Sequence, residues 1–222
     1  MSERWPGDGD ERDEGTEVVE VEDDRLEEQE HVHELPLDEE PLIEEDGDPA
    51  EPASREHAGG ELHVPDDVNR IEGEIDGTRR GVAIVAARFN GEITTRMLDS
   101  ALDELDELGV SRESITVMPV PGAFELPLAA MALAKTRRYS CIVALGCVVR
   151  GETPHFEYVA SEAASGLQLA ALETGVPVAF GVLTVESVEQ AEARIDKAAE
   201  AVRTALEMAD AFAQLRATAS AR

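Results

Sequence analysis

The stretch GVAIVAARFN, residues 81–90, decides the fold of this chain. Its run from Gly81 to Ala87 contains no polar side chain, as a strand buried on both faces requires. The segment that follows places its apolar residues at helical spacing, turns its acidic residues to the other side, and ends at Gly109. A buried strand followed directly by an amphipathic helix predicts the first unit of an alternating α/β fold.

The same alternation continues to the end of the chain. Three more apolar stretches predict strands at residues 115–120, 139–149 and 177–184. A third helix is predicted to begin at Thr153-Pro154, with Thr153 as its cap and Pro154 in the first turn. One long last helix is predicted to begin at Ser187, where Gln190 completes a capping box. Four strand–helix units predict a parallel sheet covered by helices on both faces.

The first third of the chain has a different composition. Residues 1–77 carry 30 Asp and Glu side chains against five Arg, within a formal net charge of −30 for all 222 residues. Apolar side chains are too sparse there to offset the entropy of ordering. We therefore predict a disordered acidic extension at residues 1–68 and one folded domain at residues 69–222. The short apolar clusters at residues 33–47 are interpreted as a solvated spacer, with partner docking as the alternative.

Charge and composition exclude several classes of function. So negative a chain is repelled by nucleic acid and by anionic membrane surfaces. Its two cysteines, Cys141 and Cys147, make neither a disulfide framework nor a four-ligand zinc site. No apolar run approaches the roughly 18 residues of a membrane span, and no secretory signal is evident, so a cytoplasmic protein is expected. Nucleotide-binding motifs GxxxxGK[ST] and GxGxxG are absent, so neither ATP nor a dinucleotide is indicated.

Candidate ligand contacts follow the first two predicted strands, because parallel sheets bind ligands beyond the carboxyl ends of their strands. Phe89-Asn90 ends the first strand, where the ring suits stacking on a planar ligand; a core-capping Phe is the alternative. Gly122 and Ala123 follow the second strand and allow a ligand close to the backbone. Glu125 suits binding of a polyol hydroxyl, with a helix-dipole Glu as the alternative.

A candidate proton carrier follows the third predicted strand. Backbone N–H groups of residues 150–155 lie at a helix N-terminus, which favours anion binding. Four of the five histidines precede residue 64, so His155 is the single imidazole of the predicted folded domain. The helix dipole disfavours its charged form, which suits proton transfer near neutral pH. A passive surface histidine is the alternative.

The last region supplies a ring and a cation. Phe180 is predicted near the end of the fourth strand, either beside a flat ligand or in the core. Arg194 is predicted in the last helix, either in a surface ion pair or at a phosphate. Lys135 and Lys197 do not lie at strand ends, which weakens a lysine Schiff-base mechanism. These residues together indicate a planar, polyol-bearing ligand, a phosphate and one proton carrier.

Four segments closely resemble the lumazine synthase family of riboflavin biosynthesis. They are RIEGEIDGTRRGVAIVAARFN (70–90), PVPGAFELPLAA (119–130), LGCVVRGETPHFEYV (145–159) and PVAFGVLTVESVEQAEAR (177–194). The resemblance implies a flavodoxin-like three-layer αβα fold with strand order 2-1-3-4. It also implies condensation of 5-amino-6-(D-ribitylamino)uracil with 3,4-dihydroxy-2-butanone 4-phosphate. The products are 6,7-dimethyl-8-ribityllumazine, phosphate and water, formed without a metal or an organic cofactor.

The resemblance also implies roles for individual residues. The substrate-binding residues that it implies are Phe89, Ala123, Phe124, Glu125, Cys147, Val148, Val149 and Phe180. The phosphate-binding residues that it implies are Glu152, Thr153 and Arg194. His155 matches the proposed proton carrier, and Phe180 matches a contact made from a neighbouring subunit. A homo-oligomer is therefore expected, either a pentamer or a sixty-subunit shell with sites at subunit interfaces, and riboflavin synthase is a candidate partner.

Two positions depart from the family pattern. Ala198 stands where many members carry a lysine, so either Lys197 or Arg203 is a candidate to replace it near the phosphate. Cys147 stands at a position that is more often small and apolar, and a buried thiol there is expected to be inert. The altered lysine region keeps one alternative open, a non-catalytic shell that binds flavin or lumazine.

Overall fold

The structure, a computed structural model, describes residues 62–220. The predicted disordered extension lies outside the described residues as far as residue 61. Residues 62–68 contain a turn, closed by a 3.1 Å hydrogen bond from the Val68 N–H to the Pro65 carbonyl, and no helix or strand. The division of the chain at residue 68 therefore stays a prediction.

Strands and helices alternate along the described residues as predicted. The strands are β1 (Val82–Ala87), β2 (Ile115–Val120), β3 (Cys141–Val149) and β4 (Val178–Val185). The α-helices are α1 (Gly91–Glu107), α2 (Leu126–Lys135), α3 (His155–Thr174), α4 (Val188–Glu192) and α5 (Lys197–Ser220). Two 3₁₀ turns, Arg112–Ser114 and Ala123–Glu125, precede β2 and α2. No helix among the described residues is both long enough and apolar enough to cross a bilayer.

The four strands form one parallel sheet in the order β2-β1-β3-β4. Val82 at the start of β1 pairs with Ile115 on one side and with Cys141 on the other. Strand β1 thus lies inside the sheet, and all six of its residues are buried. These findings confirm the flavodoxin-like three-layer fold and the strand order implied by the family resemblance.

Each face of the sheet packs against its own hydrophobic core. Alternate residues of β1 serve the two cores, because successive side chains on a strand point to opposite faces. Val82 and Ile84 pack with side chains of α1 and α5, including Leu206. Ala83 and Val85 pack with side chains of α2 and α3. Two covered faces explain why the strand sequence contains no polar residue.

Helices α2 and α3 pack closely because of a single glycine. A Cβ atom added at Gly166 of α3 would lie 2.6 Å from the Cβ of Pro127 in α2, well inside van der Waals contact. Any side chain at this position would force the two helices apart. Helix α2 follows the turn Ala123–Glu125, and α3 begins with His155, so the contact joins the two helices that adjoin these residues.

The predicted single last helix is wrong, because the chain breaks it into α4 and α5. Between them, the Lys197 N–H bonds to the Arg194 carbonyl and the Ala198 N–H to the Ile195 carbonyl, both at 3.1 Å. Such three-residue turns redirect the chain and still keep apolar residues on the inner side, so the periodicity does not reveal them. Ser187 does cap α4, since its Oγ accepts from the Gln190 N–H at 3.4 Å. Arg194 consequently lies in a turn and not in a helix.

Candidate active site

A cleft of about 540 Å³ opens beyond the carboxyl ends of β1 and β3. Its volume is typical of a pocket for a small molecule. Nine of the twelve residues predicted for the site line it: Phe89, Ala123, Phe124, Glu125, Cys147, Val148, Val149, Thr153 and His155. The other three predicted residues, Glu152, Phe180 and Arg194, are not part of its lining. The cleft thus lies where the carboxyl-end rule for parallel sheets predicts a ligand site, and its use as a binding site stays a prediction.

The β1 side of the cleft presents an exposed aromatic ring. Phe89 is 71% exposed, which does not fit the alternative of a residue capping the core. Its backbone is nevertheless fixed, because the Phe89 N–H donates to the Pro121 carbonyl at 3.0 Å. An exposed ring on a hydrogen-bonded backbone beside a cleft suits stacking on a planar ligand.

The loop after β2 contributes Glu125, whose carboxylate already has one partner. Its Oε2 accepts a 2.8 Å hydrogen bond from the Gly122 N–H, so the carboxylate caps the turn that opens α2. This geometry supports the alternative interpretation of Glu125 as a helix-start residue. A carboxylate has about four lone-pair sites, so capping and binding of a ligand hydroxyl are compatible.

The floor of the cleft is the end of β3. Cys147 is 3% exposed, and burial raises the pKa of its thiol above the ordinary value. A thiol in such surroundings stays protonated and is a poor nucleophile. The position of Cys147 therefore fits lining of the cleft and does not fit covalent chemistry.

The β3–α3 turn carries His155 and is braced by an arginine. His155 is the first residue of α3, and the helix begins after Pro154 without a side-chain cap, so the predicted cap by Thr153 is wrong. The Arg150 guanidinium lies 4.4 Å from the centre of the Phe156 ring. It also pairs with Glu186 at 2.8 Å and with Glu157 at 3.3 Å. These contacts tie the β3–α3 turn to the end of β4.

Phe180 is misplaced by the sequence interpretation. It is the third residue of β4, opposite Ala144 of β3, and the strand continues through Val185. The predicted strand, residues 177–184, already extended past the ring, and the burial of Val182 and Leu183 agrees with that extent. Phe180 therefore lies well before the carboxyl end of its strand, away from the cleft of its own chain, with 47% of its surface exposed.

The cations considered for phosphate binding have other partners. Arg194 donates from Nη1 to the Gln190 carbonyl at 2.9 Å. The Nζ of Lys197 pairs with Glu200 at 2.6 Å. Arg203 binds both carboxylate oxygens of Glu104, at 2.8 and 2.9 Å, and this bond raises the pKa of Arg203. None of the three lines the cleft of this chain.

Several lining residues were missed by the sequence interpretation. Phe156, Tyr158 and Val159 of α3 line the cleft beside Gly151, which belongs to the turn already considered for anion binding. The helical spacing of Phe156 and Val159 was a usable signal, since residues three apart share a helix face. Among the described residues, no group of three or more His, Cys, Asp or Glu side chains is arranged to hold a metal ion. A reaction without a cofactor stays a prediction.

Comparison with known proteins agrees with the resemblance found in the sequence. A family model described as 6,7-dimethyl-8-ribityllumazine synthase matches residues 80–213. Proteins of that name from Yersinia pestis (strain Pestoides F) and from Yersinia pseudotuberculosis serotype O:1b (strain IP 31758) are each 54% identical to the chain over 147 residues. In both cases the match covers 64% of this chain and 94% of the relative. The chain therefore belongs to the 6,7-dimethyl-8-ribityllumazine synthase family.

Proposed function

We propose that the cleft beyond β1 and β3 is where this chain condenses 5-amino-6-(D-ribitylamino)uracil with 3,4-dihydroxy-2-butanone 4-phosphate. The chain is a transferase of riboflavin biosynthesis, and its product is 6,7-dimethyl-8-ribityllumazine. The observation that carries the choice of site is the convergence of nine predicted residues, from three separate segments at the carboxyl ends of β1, β2 and β3, around one cleft. A single cleft that unites the expected contacts is the arrangement a two-substrate condensation needs.

The uracil substrate fits the β1 and β2 side of the cleft. The exposed Phe89 ring offers a stacking surface for the planar pyrimidine, with Val148 and Val149 as apolar neighbours. The ribityl chain then extends along Ala123 and Phe124 toward the Glu125 carboxylate. Glu125 accepts hydrogen bonds from ribityl hydroxyls while it caps the turn.

The phosphorylated butanone fits the β3–α3 side of the cleft. Thr153 lines the cleft directly before α3, where backbone N–H groups and the helix dipole favour an anion. Glu152 is next to Thr153 in the same turn. Its backbone N–H is suited to donate to a phosphate, whereas its side-chain carboxylate is not, because both groups are negative. Arg194 does not line the cleft of its own chain, so it reaches the phosphate in one of two ways. Either the turn that carries it moves toward the cleft, or the Arg194 of a neighbouring subunit enters the cleft.

The reaction proceeds without a protein nucleophile, because the substrate amine attacks. The 5-amino group adds to the butanone ketone and water leaves as the imine forms. Loss of phosphate then gives an enol, whose keto form is attacked by the ribitylamino nitrogen, and a second water leaves as the ring closes. Alignment of the two substrates contributes about 7–11 kcal/mol in favourable cases. Proton transfer through His155 adds about 10²–10⁴-fold.

The cleft is completed by a second copy of the chain. The family is one of oligomeric enzymes that act on small molecules, and we extend this to a pentamer or a sixty-subunit shell. Phe124 and Tyr158 at the cleft are more than half exposed, whereas Phe180 lies away from it. A neighbouring chain that brings its Phe180 over the cleft covers these rings. Native mass measurement distinguishes five chains from sixty.

Mixing inactive variants tests whether the site is shared. In oligomers assembled from His155→Ala and Phe180→Ala chains, about a quarter of the sites combine an intact cleft with an intact neighbour. Activity of the mixture above that of either variant supports a shared site. Activity equal to the average of the two variants contradicts it.

The activity itself is tested by adding both substrates to the purified protein and following the absorbance of the lumazine product. Turnover that requires both substrates is the expected result. Binding of lumazine or flavin without turnover would instead identify the non-catalytic shell, which the named relatives do not favour.

We also propose that residues 1–68 form an acidic segment separate from the catalytic domain. Binding of riboflavin synthase to the assembly is a further proposal, and co-sedimentation of the two proteins tests it.

A further inference from the structure

Asn90 joins three parts of the fold at the edge of the cleft. Its backbone lies in the left-handed region, with φ 58° and ψ 43°, at the N-terminal cap of α1. Its carbonyl accepts from the N–H groups of Ile93 and Thr94, both at 3.1 Å. Its side-chain Nδ2 donates to the Cys147 carbonyl on β3 at 2.8 Å. One residue thus ends β1, begins α1 and bonds to β3.

The bond to Cys147 replaces a missing ladder bond. Pairing between β1 and β3 ends at Ala86 and Leu145, two residues before Cys147, while β3 continues to pair with β4 as far as Val149. The Cys147 residue is buried, and a buried carbonyl without a donor is costly. The Asn90 amide supplies that donor, so it extends the contact between β1 and β3 beyond the last backbone pair.

The same bond fixes the residue that precedes it. Phe89 is held on one side by its N–H bond to the Pro121 carbonyl and on the other by Asn90. The left-handed turn at Asn90 reverses the chain, which leaves the Phe89 ring exposed at the cleft and the Cys147–Val149 floor beside it. The Asn90 amide, which itself lines the cleft, thus links the segment that carries the ring to the strand that forms the floor.

We propose that Asn90 is a positioning residue, which sets the gap between the Phe89 ring and the β3 floor and so determines affinity for the planar substrate. The role of Phe89 assumed here rests on the proposed function of the cleft. Asn meets two demands at once, since it tolerates positive φ and carries a short amide donor. Glycine meets only the first demand. Aspartate meets the first but directs an oxygen at the Cys147 carbonyl.

The test compares Asn90→Gly and Asn90→Asp with the wild-type chain in steady-state kinetics. We expect KM for the ribitylaminouracil substrate to rise about 10-fold or more in both variants, since a displaced contact can cost that much or more. KM for the butanone phosphate should change less than twofold. Binding of the product lumazine, measured by equilibrium fluorescence, should weaken in parallel. Arg79→Gly is the matched control, because Arg79 is exposed and also has a positive φ of 60°, outside the cleft.

The outcomes separate this proposal from the proposed function. An inactive wild-type chain would contradict the function, whereas an active wild-type chain with an unchanged KM in Asn90→Gly would overturn the role of the amide. A loss confined to kcat, or an equal rise in both KM values, would also overturn it. If Asn90→Asp fails to fold, Asn90→Gly decides alone, because glycine adopts the left-handed conformation without strain.

Discussion

Replacing Arg203 with methionine leaves the Glu104 carboxylate without its bidentate partner. Glu104 is 8% exposed, and Arg203 holds it with two hydrogen bonds of 2.8 and 2.9 Å. Removal of one member of a fully buried pair costs about 3–5 kcal/mol. The Arg203 side chain is 21% exposed and the pair borders an open groove between α1 and α5, so water partly replaces the lost partner. We therefore expect the free energy of unfolding to fall by about 2–3 kcal/mol.

Thermal and denaturant unfolding at one fixed protein concentration measure this loss. For a domain of this size, each kcal/mol of lost stability lowers the unfolding midpoint by about 2–4 °C, so the midpoint should fall by roughly 4–12 °C. The double variant Glu104→Leu/Arg203→Met should recover most of the loss, because it removes the charge as well as its partner. KM for the butanone phosphate should stay unchanged, since the Arg203 guanidinium is held by Glu104 in the groove between α1 and α5. A stable Arg203→Met chain with a raised KM would refute this reasoning and restore Arg203 as the phosphate-binding substitute.

Three further predictions concern the cleft and the extension. His155→Ala should lower kcat by about 10²–10⁴-fold and largely spare substrate affinity; a wild-type rate that stays constant between about pH 6 and 8 would remove the imidazole from the mechanism. Arg194→Ala should mainly raise KM for the butanone phosphate, because a charge-assisted contact is lost, and an effect on the uracil substrate alone would show that Arg194 has another role. Deletion of residues 1–68 should leave lumazine formation and oligomer mass intact. The effect of the extension's charge on solubility, or on recruitment of a basic partner, should fade with added salt, since charges more than about 8 Å apart are screened at physiological ionic strength. Loss of activity or dissociation to monomers after this deletion would show that the extension is structural.

The sequence pattern predicted the layers of the fold better than its turns. Uninterrupted apolar runs such as residues 82–87 are typical of strands buried on both faces, so the strands could be predicted. The cleft lies at the carboxyl ends of these strands, where parallel sheets bind ligands. The strand order came from family resemblance, because periodicity does not specify which strands are neighbours. The break before Lys197 was missed since three-residue turns preserve the apolar spacing.

Long-range polar contacts were the other part that the sequence pattern did not reveal. Glu104 and Arg203 are 99 residues apart, and each resembles an ordinary charge on an amphipathic helix. The bond from Asn90 to the Cys147 carbonyl depends on where the β1–β3 ladder stops, which only the folded register defines. Phe180 was assigned to a strand end although the predicted strand, residues 177–184, extends four residues beyond it; its pairing with Ala144 places it in the first half of β4.

The glycine contact between α2 and α3 has a consequence for motion. Because Gly166 has no side chain, the backbone of α3 lies directly against Pro127 of α2. A movement of either helix at this contact therefore displaces the other helix as well. The turn Ala123–Glu125, which we propose binds the ribityl chain, and the His155 imidazole lie at the beginnings of these helices and are then expected to move together. Substrate entry would shift both sides of the cleft together, and amide protons of α2 and α3 should exchange with solvent at a common rate set by one opening event.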